Sequence, residues 1–96
     1  AGIEASDIPG AGNTITNNYC AKNGLGILLR NGANGMTISG NTVTQNTTDG
    51  IQVYTTDGNT ITGNTATNNL GRGIYSTGNT NISISNNTIS GNGIAP

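Results

Sequence analysis

A 23-residue repeat constrains the fold of this chain more than any other feature. Isoleucine recurs every 23 residues, and two series of asparagine keep the same interval through four copies. The three columns are Ile15, Ile38, Ile61 and Ile84; Asn18, Asn41, Asn64 and Asn87; and Asn23, Asn46, Asn69 and Asn92. Self-similarity at a fixed period of about 20 to 50 residues is typical of solenoids and related repeat architectures. The sequence therefore predicts a stack of similar units.

Three further columns complete the repeat. The first is apolar and also has a step of 23. The second is an isoleucine column in which each isoleucine follows a glycine, and the third lies two residues after the second. Both of these have steps of 24, 24 and 23. Their members are Cys20, Val43, Ala66 and Ile89; Ile3, Ile27, Ile51 and Ile74; and Ala5, Leu29, Val53 and Ser76. We predict that the one-residue slip lies only in the segment before the glycine, where a loop tolerates an insertion.

Spacing within each copy favours short β-strands. Apolar residues lie two apart, as in Ile27 and Leu29, or singly between hydroxyl residues, as in Thr14-Ile15-Thr16. Such alternation is typical of half-buried strands, and no segment shows a helical period. Three strands per copy, centred on the Ile15, Cys20 and Ile27 columns, predict a parallel β-solenoid. Identical positions then stack about 4.8 Å apart.

The composition fits this arrangement. Asn (17), Thr (16) and Gly (16) supply half of the 96 residues, and Ile, Leu, Val and Phe together supply only 18. So few apolar residues would favour disorder, but the net charge is only -1, and disordered chains usually carry a high net charge. In a solenoid the isoleucine columns form a dry core. Each inward Asn can hydrogen-bond to the copies above and below it.

The repeat predicts a single domain, 1–96. Its coils are approximately 12–33, 34–57, 58–79 and 80–96, with a partial coil at 1–11.

One motif carries a family resemblance. The segment from Asn59 to Ile74 reads N-T-I-T-G-N-T-A-T-N-N-L-G-R-G-I. It resembles the right-handed parallel β-helix repeats of the pectin-lyase-like superfamily, in particular those named for carbohydrate-binding and sugar-hydrolase proteins. The resemblance extends from about Gly2 to Asn92. It implies an all-β, right-handed parallel β-helix of about four coils, whereas family members usually have many more. Because the superfamily includes lyases, hydrolases, epimerases, surface-layer proteins and phage tail fibres, it implies no single activity.

Charge and hydropathy exclude several classes of function. With 7% charged residues and no basic patch, the chain is not expected to bind nucleic acid. It has no apolar run of the roughly 18 to 20 residues that would span a membrane. It also has no His, the usual general base near neutral pH and the commonest metal ligand.

The acidic residues do not predict an active site. Glu4 and Asp7 fall in the first partial coil, and Asp49 and Asp57 in a later one, so no adjacent coils carry stacked acids. Calcium would need about six to eight oxygen ligands. We therefore predict no catalytic residue, no metal and no cofactor in this segment. The enzyme alternative is a fragment of a polysaccharide lyase, hydrolase or epimerase whose active site lies outside these residues.

One strip of side chains could bind sugar. Arg30, Gln52, Tyr54 and Tyr75 combine aromatic faces with planar polar groups, which suit carbohydrate. The alternative is ordinary surface pairing, with Arg30 and Tyr54 as a cation-π pair and Asp49 and Arg72 as a surface ion pair.

Hydroxyl residues suggest a minor alternative. Thr-x-Thr files flanking the inward isoleucines resemble the ice-binding faces of some antifreeze proteins. Serine substitutions, and Tyr19 and Ala21 in the next strand, favour instead the usual outward threonines of a β-coil.

The leading hypothesis is a non-catalytic structural or polysaccharide-binding scaffold of an extracellular or cell-surface protein. The two ends of the chain are nearly complementary in coil phase. This indicates either a segment of a longer solenoid or end-to-end stacking of copies into filaments.

Overall fold

The computed structural model describes residues 1–8, 10 and 12–93, which contain three parallel β-sheets of four short strands each. Sheet A consists of β1 (Ile3–Ser6), β4 (Ile27–Arg30), β7 (Ile51–Tyr54) and β10 (Ile74–Thr77). Sheet B consists of β2 (Thr14–Thr16), β5 (Thr37–Ser39), β8 (Thr60–Thr62) and β11 (Ser83–Ser85). Sheet C consists of β3 (Tyr19–Ala21), β6 (Thr42–Thr44), β9 (Thr65–Thr67) and β12 (Thr88–Ser90).

Three consecutive strands, one from each sheet, form one rung of a β-solenoid. Rung 1 contains β1 to β3, rung 2 β4 to β6, rung 3 β7 to β9 and rung 4 β10 to β12. This confirms the predicted solenoid with three short strands per coil. Each of the predicted coils 12–33, 34–57 and 58–79 contains three strands, and residues 94–96 of the last predicted coil lie outside the described residues.

The predicted apolar columns are in register and form the core. Ile15 pairs with Ile38, Ile38 with Ile61, and Ile61 with Ile84. The first three of these isoleucines are buried. Ile84 is 41% exposed because no further described rung covers it. Burial of an isoleucine side chain contributes about 1.5 to 3 kcal/mol, so the stacked columns are the main apolar contribution to stability.

The two predicted asparagine columns form hydrogen-bonded ladders. Asn41 donates from its backbone N and from Nδ2 to Oδ1 of Asn64, at 3.0 and 2.9 Å. Asn64 in turn donates from Nδ2 to the carbonyl oxygen of Ile38 at 3.0 Å. The second ladder repeats this pattern from Asn46 to Asn69. These four asparagines are almost completely buried, yet each has its amide satisfied, which offsets the cost of burying it.

Two further buried or half-buried asparagines cap the corner after sheet A. Asn59 accepts from the backbone N of Met36 at 2.8 Å and donates to the carbonyl of Ala33 at 2.7 Å. Asn79 accepts from the backbone N of Thr56 at 3.0 Å. The sequence did not reveal this corner because its columns contain different residue types, so no asparagine repeat marks it.

The prediction that the register slips only before the glycine is wrong. A compensating difference lies after the sheet A strands, since Ile38 follows Ile27 by eleven residues but Ile61 follows Ile51 by ten. Both loops change length while Ile27 and Ile51 remain paired. The solenoid therefore absorbs insertions at both ends of the sheet A strand.

Residues with positive φ recur at the corners, in columns. Asn17, Gly40, Gly63 and Asn86 form one such column, and Asp7, Asn31, Thr55 and Gly78 form another. Asn, Asp and Gly adopt this left-handed conformation most readily. Thr55, with φ of 57°, is the β-branched exception.

Replacing Thr55 should therefore stabilise the fold. Thr55 is exposed, and Asn31 already occupies the equivalent corner of the preceding rung. We expect Thr55→Asn to raise the free energy of unfolding by about 1 kcal/mol, because a left-handed conformation strains a β-branched residue. Urea denaturation followed by circular dichroism measures the change. Thr47→Asn, at an exposed position without positive φ, is the control and should change stability little. Equal effects of the two substitutions would contradict the strain argument.

Candidate functional site

The outer surface of sheet A carries an unusual set of side chains. Strand alternation points them away from the core in two files: Glu4, Leu28, Gln52 and Tyr75, and Ser6, Arg30, Tyr54 and Thr77. We call these eight side chains the sheet A face. It brings together all four residues that the sequence predicts as a sugar-binding strip. Arg30, Gln52, Tyr54 and Tyr75 are all half-buried on it.

The loops before β7 and β10 add two charged residues beside this face. Asp49 is only 5% exposed. Its Oδ1 accepts a 2.7 Å hydrogen bond from the backbone N of Arg72, and its Oδ2 accepts a 3.0 Å hydrogen bond from Nε2 of Gln52. An added Cβ on Gly71 would lie 2.6 Å from Oδ1 of Asp49, so a glycine is required there. The predicted surface ion pair between Asp49 and Arg72 is wrong, because Asp49 binds the backbone of Arg72 and not its guanidinium.

The guanidinium of Arg72 instead lies over an aromatic ring. Its Cζ is 4.2 Å from the centroid of Tyr75, a cation-π geometry. It is the cation-π contact found among the described residues. Arg30 and Tyr54 make a polar contact and not the predicted cation-π pair. One face of Tyr75 is therefore already covered by Arg72.

Arg30 forms an ion pair across two rungs. Its Nη2 lies 2.7 Å from Oε2 of Glu4, and both side chains are 40% exposed. A polar contact with Tyr54 and the nearby carboxylate of Glu4 raise the pKa of Arg30 above its ordinary value. Such an exposed pair contributes little to stability, so its main effect is to order these side chains on the sheet A face.

The outer surfaces of the other two sheets are dominated by hydroxyl groups. The outward residues of sheet B are all Thr or Ser: Thr14, Thr16, Thr37, Ser39, Thr60, Thr62, Ser83 and Ser85. Sheet C presents mainly the same types, and Thr67 donates to Thr44 across one rung at 3.2 Å. The exceptions are both on β3: Ala21, and Tyr19, which is 71% exposed. The ice-binding interpretation of these hydroxyl files stays a prediction.

The remaining titratable groups are dispersed. Asp57 accepts hydrogen bonds from Thr80 (2.8 Å) and Asn81 (3.0 Å), which lower the pKa of its carboxyl group. Cys20 is buried, and burial raises the pKa of its thiol. It borders an open cavity of about 470 Å³ at rung 1, which is also lined by Ile3 and Asn18. No group of three or more His, Cys, Asp or Glu side chains among the described residues is arranged to hold a metal ion.

Comparison with known protein families identifies the fold. A family model described as a right-handed β-helix region matches residues 1–95. The chain belongs to the right-handed β-helix family. Comparison with curated proteins and with solved structures gives no match. The described residues of this β-helix include no helical segment long and apolar enough to cross a membrane.

Sequence reasoning missed several residues of the candidate site. Glu4 lies diagonally across from Arg30, a contact that the spacing of 26 residues did not suggest. Asp49 and Arg72 occupy equivalent positions in the loops that precede β7 and β10 of this β-helix. Their alignment gave the correct proximity, but not which groups interact. Leu28 is the apolar member of the face and is buried. Its neighbours in sequence, Ile27 and Leu29, are also apolar, so the sequence did not single it out as an outward-facing residue.

Proposed function

We propose that this β-helix is a non-catalytic, polysaccharide-binding scaffold of an extracellular or cell-surface protein. One observation supports the proposal: tyrosine, arginine and glutamine side chains, the exposed carboxylate of Glu4 and the buried carboxylate of Asp49 gather on and beside one sheet, whereas the other outer surfaces carry mainly hydroxyl groups. Aromatic rings pack against sugar rings, and planar polar groups hydrogen-bond to hydroxyls with defined geometry. The sheet A face therefore offers the mixture of contacts that a sugar polymer requires.

The parallel register favours an extended ligand. Gln52 and Tyr75 lie on neighbouring strands in one file, and Arg30 and Tyr54 in the other. Strands are about 4.8 Å apart, so the four rungs present a continuous strip on a rigid backbone. A chain-like ligand contacts several rungs at once, and each weak contact then adds to the same complex.

Removal of either tyrosine should weaken binding. We expect Tyr54→Ala and Tyr75→Ala each to reduce affinity for a bound polysaccharide about five- to tenfold, the effect of losing roughly 1 kcal/mol of aromatic contact. Native electrophoresis in gels containing soluble polysaccharides measures this. Tyr19→Ala is the matched control, since it removes an equally large ring from sheet C. If all three variants bind as the wild type does, or if no polysaccharide retards the protein, the proposal is wrong.

An enzymatic role would give a different result. Shortening of an acidic polysaccharide during the assay, abolished in Asp49→Asn, would identify a lyase or hydrolase and contradict the non-catalytic part of the proposal. Location outside the cell is tested separately, by detecting the protein in the surface or secreted fraction of its native cells.

End-to-end stacking of copies is a second part of the proposal, and the direction of the asparagine ladders favours it. Every ladder oxygen accepts from the rung before it, so rung 1 presents the oxygens of Asn18 and Asn23. In rung 4, Nδ2 of Asn87 and Nδ2 of Asn92 each donate one hydrogen to a carbonyl of rung 3. Their second Nδ2 hydrogens and their backbone N–H groups are the donors that complement those oxygens. Electron microscopy of the concentrated chain should show filaments with an axial repeat near four strand spacings, about 19 Å. Monodisperse monomers at the same concentration would contradict stacking.

A further inference from the structure

We propose that the sheet A face selects neutral saccharides over polyuronates, with Gln52 as the selecting residue and Asp49 as the residue that positions it. This inference rests on the proposed polysaccharide binding and specifies the chemical class of the ligand. It follows from the charge around the face and from the fixed orientation of one amide group.

The charges around the face balance. Glu4 and Asp49 are the anionic groups, and Arg30 and Arg72 are the cationic groups. The charge of Arg30 is matched by Glu4 at 2.7 Å, and Asp49, which accepts a hydrogen bond from the backbone N of Arg72, is the second negative charge beside the face. The four formal charges sum to zero, so a polyanion approaching this surface meets no net positive charge, which is the usual source of attraction for acidic polymers.

Asp49 fixes which atom Gln52 presents to a ligand. Carboxylate oxygens accept hydrogen bonds, so the amide group that faces Oδ2 of Asp49 must be the donor Nε2, at 3.0 Å. The other amide atom of Gln52, the acceptor Oε1, is then directed away from Asp49. Because Asp49 is itself buried and held by the backbone N of Arg72, this orientation is imposed from beneath the face.

A fixed acceptor distinguishes a hydroxyl from a carboxylate. A sugar hydroxyl can donate a hydrogen bond to Oε1 of Gln52. A uronate carboxylate has no proton to donate, so it would bring its oxygens against another acceptor. Selectivity thus comes from an unfavourable contact with the wrong ligand as well as a favourable one with the right ligand.

Asp49→Asn should therefore change the preference and not merely the affinity. The oxygen of the substituted side chain retains the hydrogen bond from the backbone N of Arg72, and its amide nitrogen becomes a donor that faces Gln52. Gln52 then reverses its amide, presenting Nε2 outward, while the surroundings lose one negative charge. We expect binding to galactomannan to weaken about tenfold, the equivalent of one hydrogen bond, and binding to polygalacturonate to strengthen. A purely structural role for Asp49 would weaken both.

Native affinity electrophoresis with galactomannan or polygalacturonate in the gel tests the inference. The wild type should be retarded by galactomannan more than by polygalacturonate. Gln52→Ala, which leaves Asp49 in place, should lose galactomannan binding without gaining polygalacturonate binding. Asp57→Asn, in the corner after β7 and outside the sheet A face, is the control for loss of a carboxylate. Thermal melts by circular dichroism verify that each variant is folded, and Gln52→Ala supplies the test if Asp49→Asn is not.

The outcomes separate the two proposals. If the wild type binds no polysaccharide at all, the proposed function fails. If it binds polygalacturonate more strongly than galactomannan, polysaccharide binding stands and this inference is overturned. An unchanged preference in both Asp49→Asn and Gln52→Ala overturns it as well.

Discussion

Asn64→Ala is expected to lower the free energy of unfolding by about 3 to 5 kcal/mol. Asn64 is 1% exposed, and its Oδ1 accepts from both the backbone N and Nδ2 of Asn41. Its own Nδ2 donates to the carbonyl of Ile38. Truncation leaves several buried groups without partners, at about 1 to 3 kcal/mol each, and opens a cavity. Because a domain of this size has about 5 to 15 kcal/mol in total, the variant should be close to unfolding.

Urea denaturation followed by circular dichroism measures this effect, and a neighbouring asparagine provides the control. Asn68 is exposed at a corner with φ of 56°, and the equivalent residue of the next rung is Gly91, with φ of 68°. Asn68→Gly removes the same kind of side-chain amide from a solvent-exposed position, so the free energy of unfolding should change by no more than about 0.5 kcal/mol. A loss below 1 kcal/mol for Asn64→Ala would show that the ladders contribute little to stability.

Gly50→Ala is expected to cost about 2 to 3 kcal/mol. An added Cβ would lie 2.6 Å from the carbonyl oxygen of Gly73, 2.8 Å from Nδ2 of Asn69 and 2.9 Å from Cγ2 of Val43. The first of these atoms belongs to the backbone of the next rung and the others to buried side chains, so none yields without displacing the stack. Inserting one methyl group into a packed interior typically costs about 1 to 3 kcal/mol.

Gly24→Ala is the matched substitution for this test. Gly24 has no positive φ, and an added Cβ would meet no atom within 4 Å. We expect no loss of stability there, and a gain of up to about 1 kcal/mol from the reduced entropy of the unfolded chain. Thermal and urea unfolding of the two alanine variants compare them directly. Similar stability of both would mean that rung 3 relaxes around the new methyl group.

The sequence was sufficient to predict the columns because stacking places equivalent residues in contact. Ile38 and Asn41 differ in chemistry, but each meets its own kind in the adjacent rungs, so the repeat alone indicates both the core and the ladders. The length change after sheet A was harder to recognise, because it appears only when the Ile27 and Ile38 columns are compared. Corner contacts such as Asn59 with Met36 lack a repeating residue type altogether.

The candidate site was predictable in its location and not in its contacts. Alternation placed Arg30, Gln52, Tyr54 and Tyr75 on one surface. The partner of each charged group depends on rotamers and on corner backbone geometry, which residue spacing does not determine. Asp49 and Arg72 share a column, yet the backbone N of Arg72 reaches the carboxylate while its side chain extends over Tyr75.

The one-way orientation of the asparagine ladders has an electrostatic consequence. In each ladder the side-chain oxygens are directed toward the preceding rung, so the amide dipoles are parallel and do not cancel. Parallel sheets themselves have only small net dipoles. The ladders therefore add a side-chain contribution to the electric asymmetry of this solenoid along its axis, with acceptor oxygens facing outward at rung 1 and donor groups at rung 4.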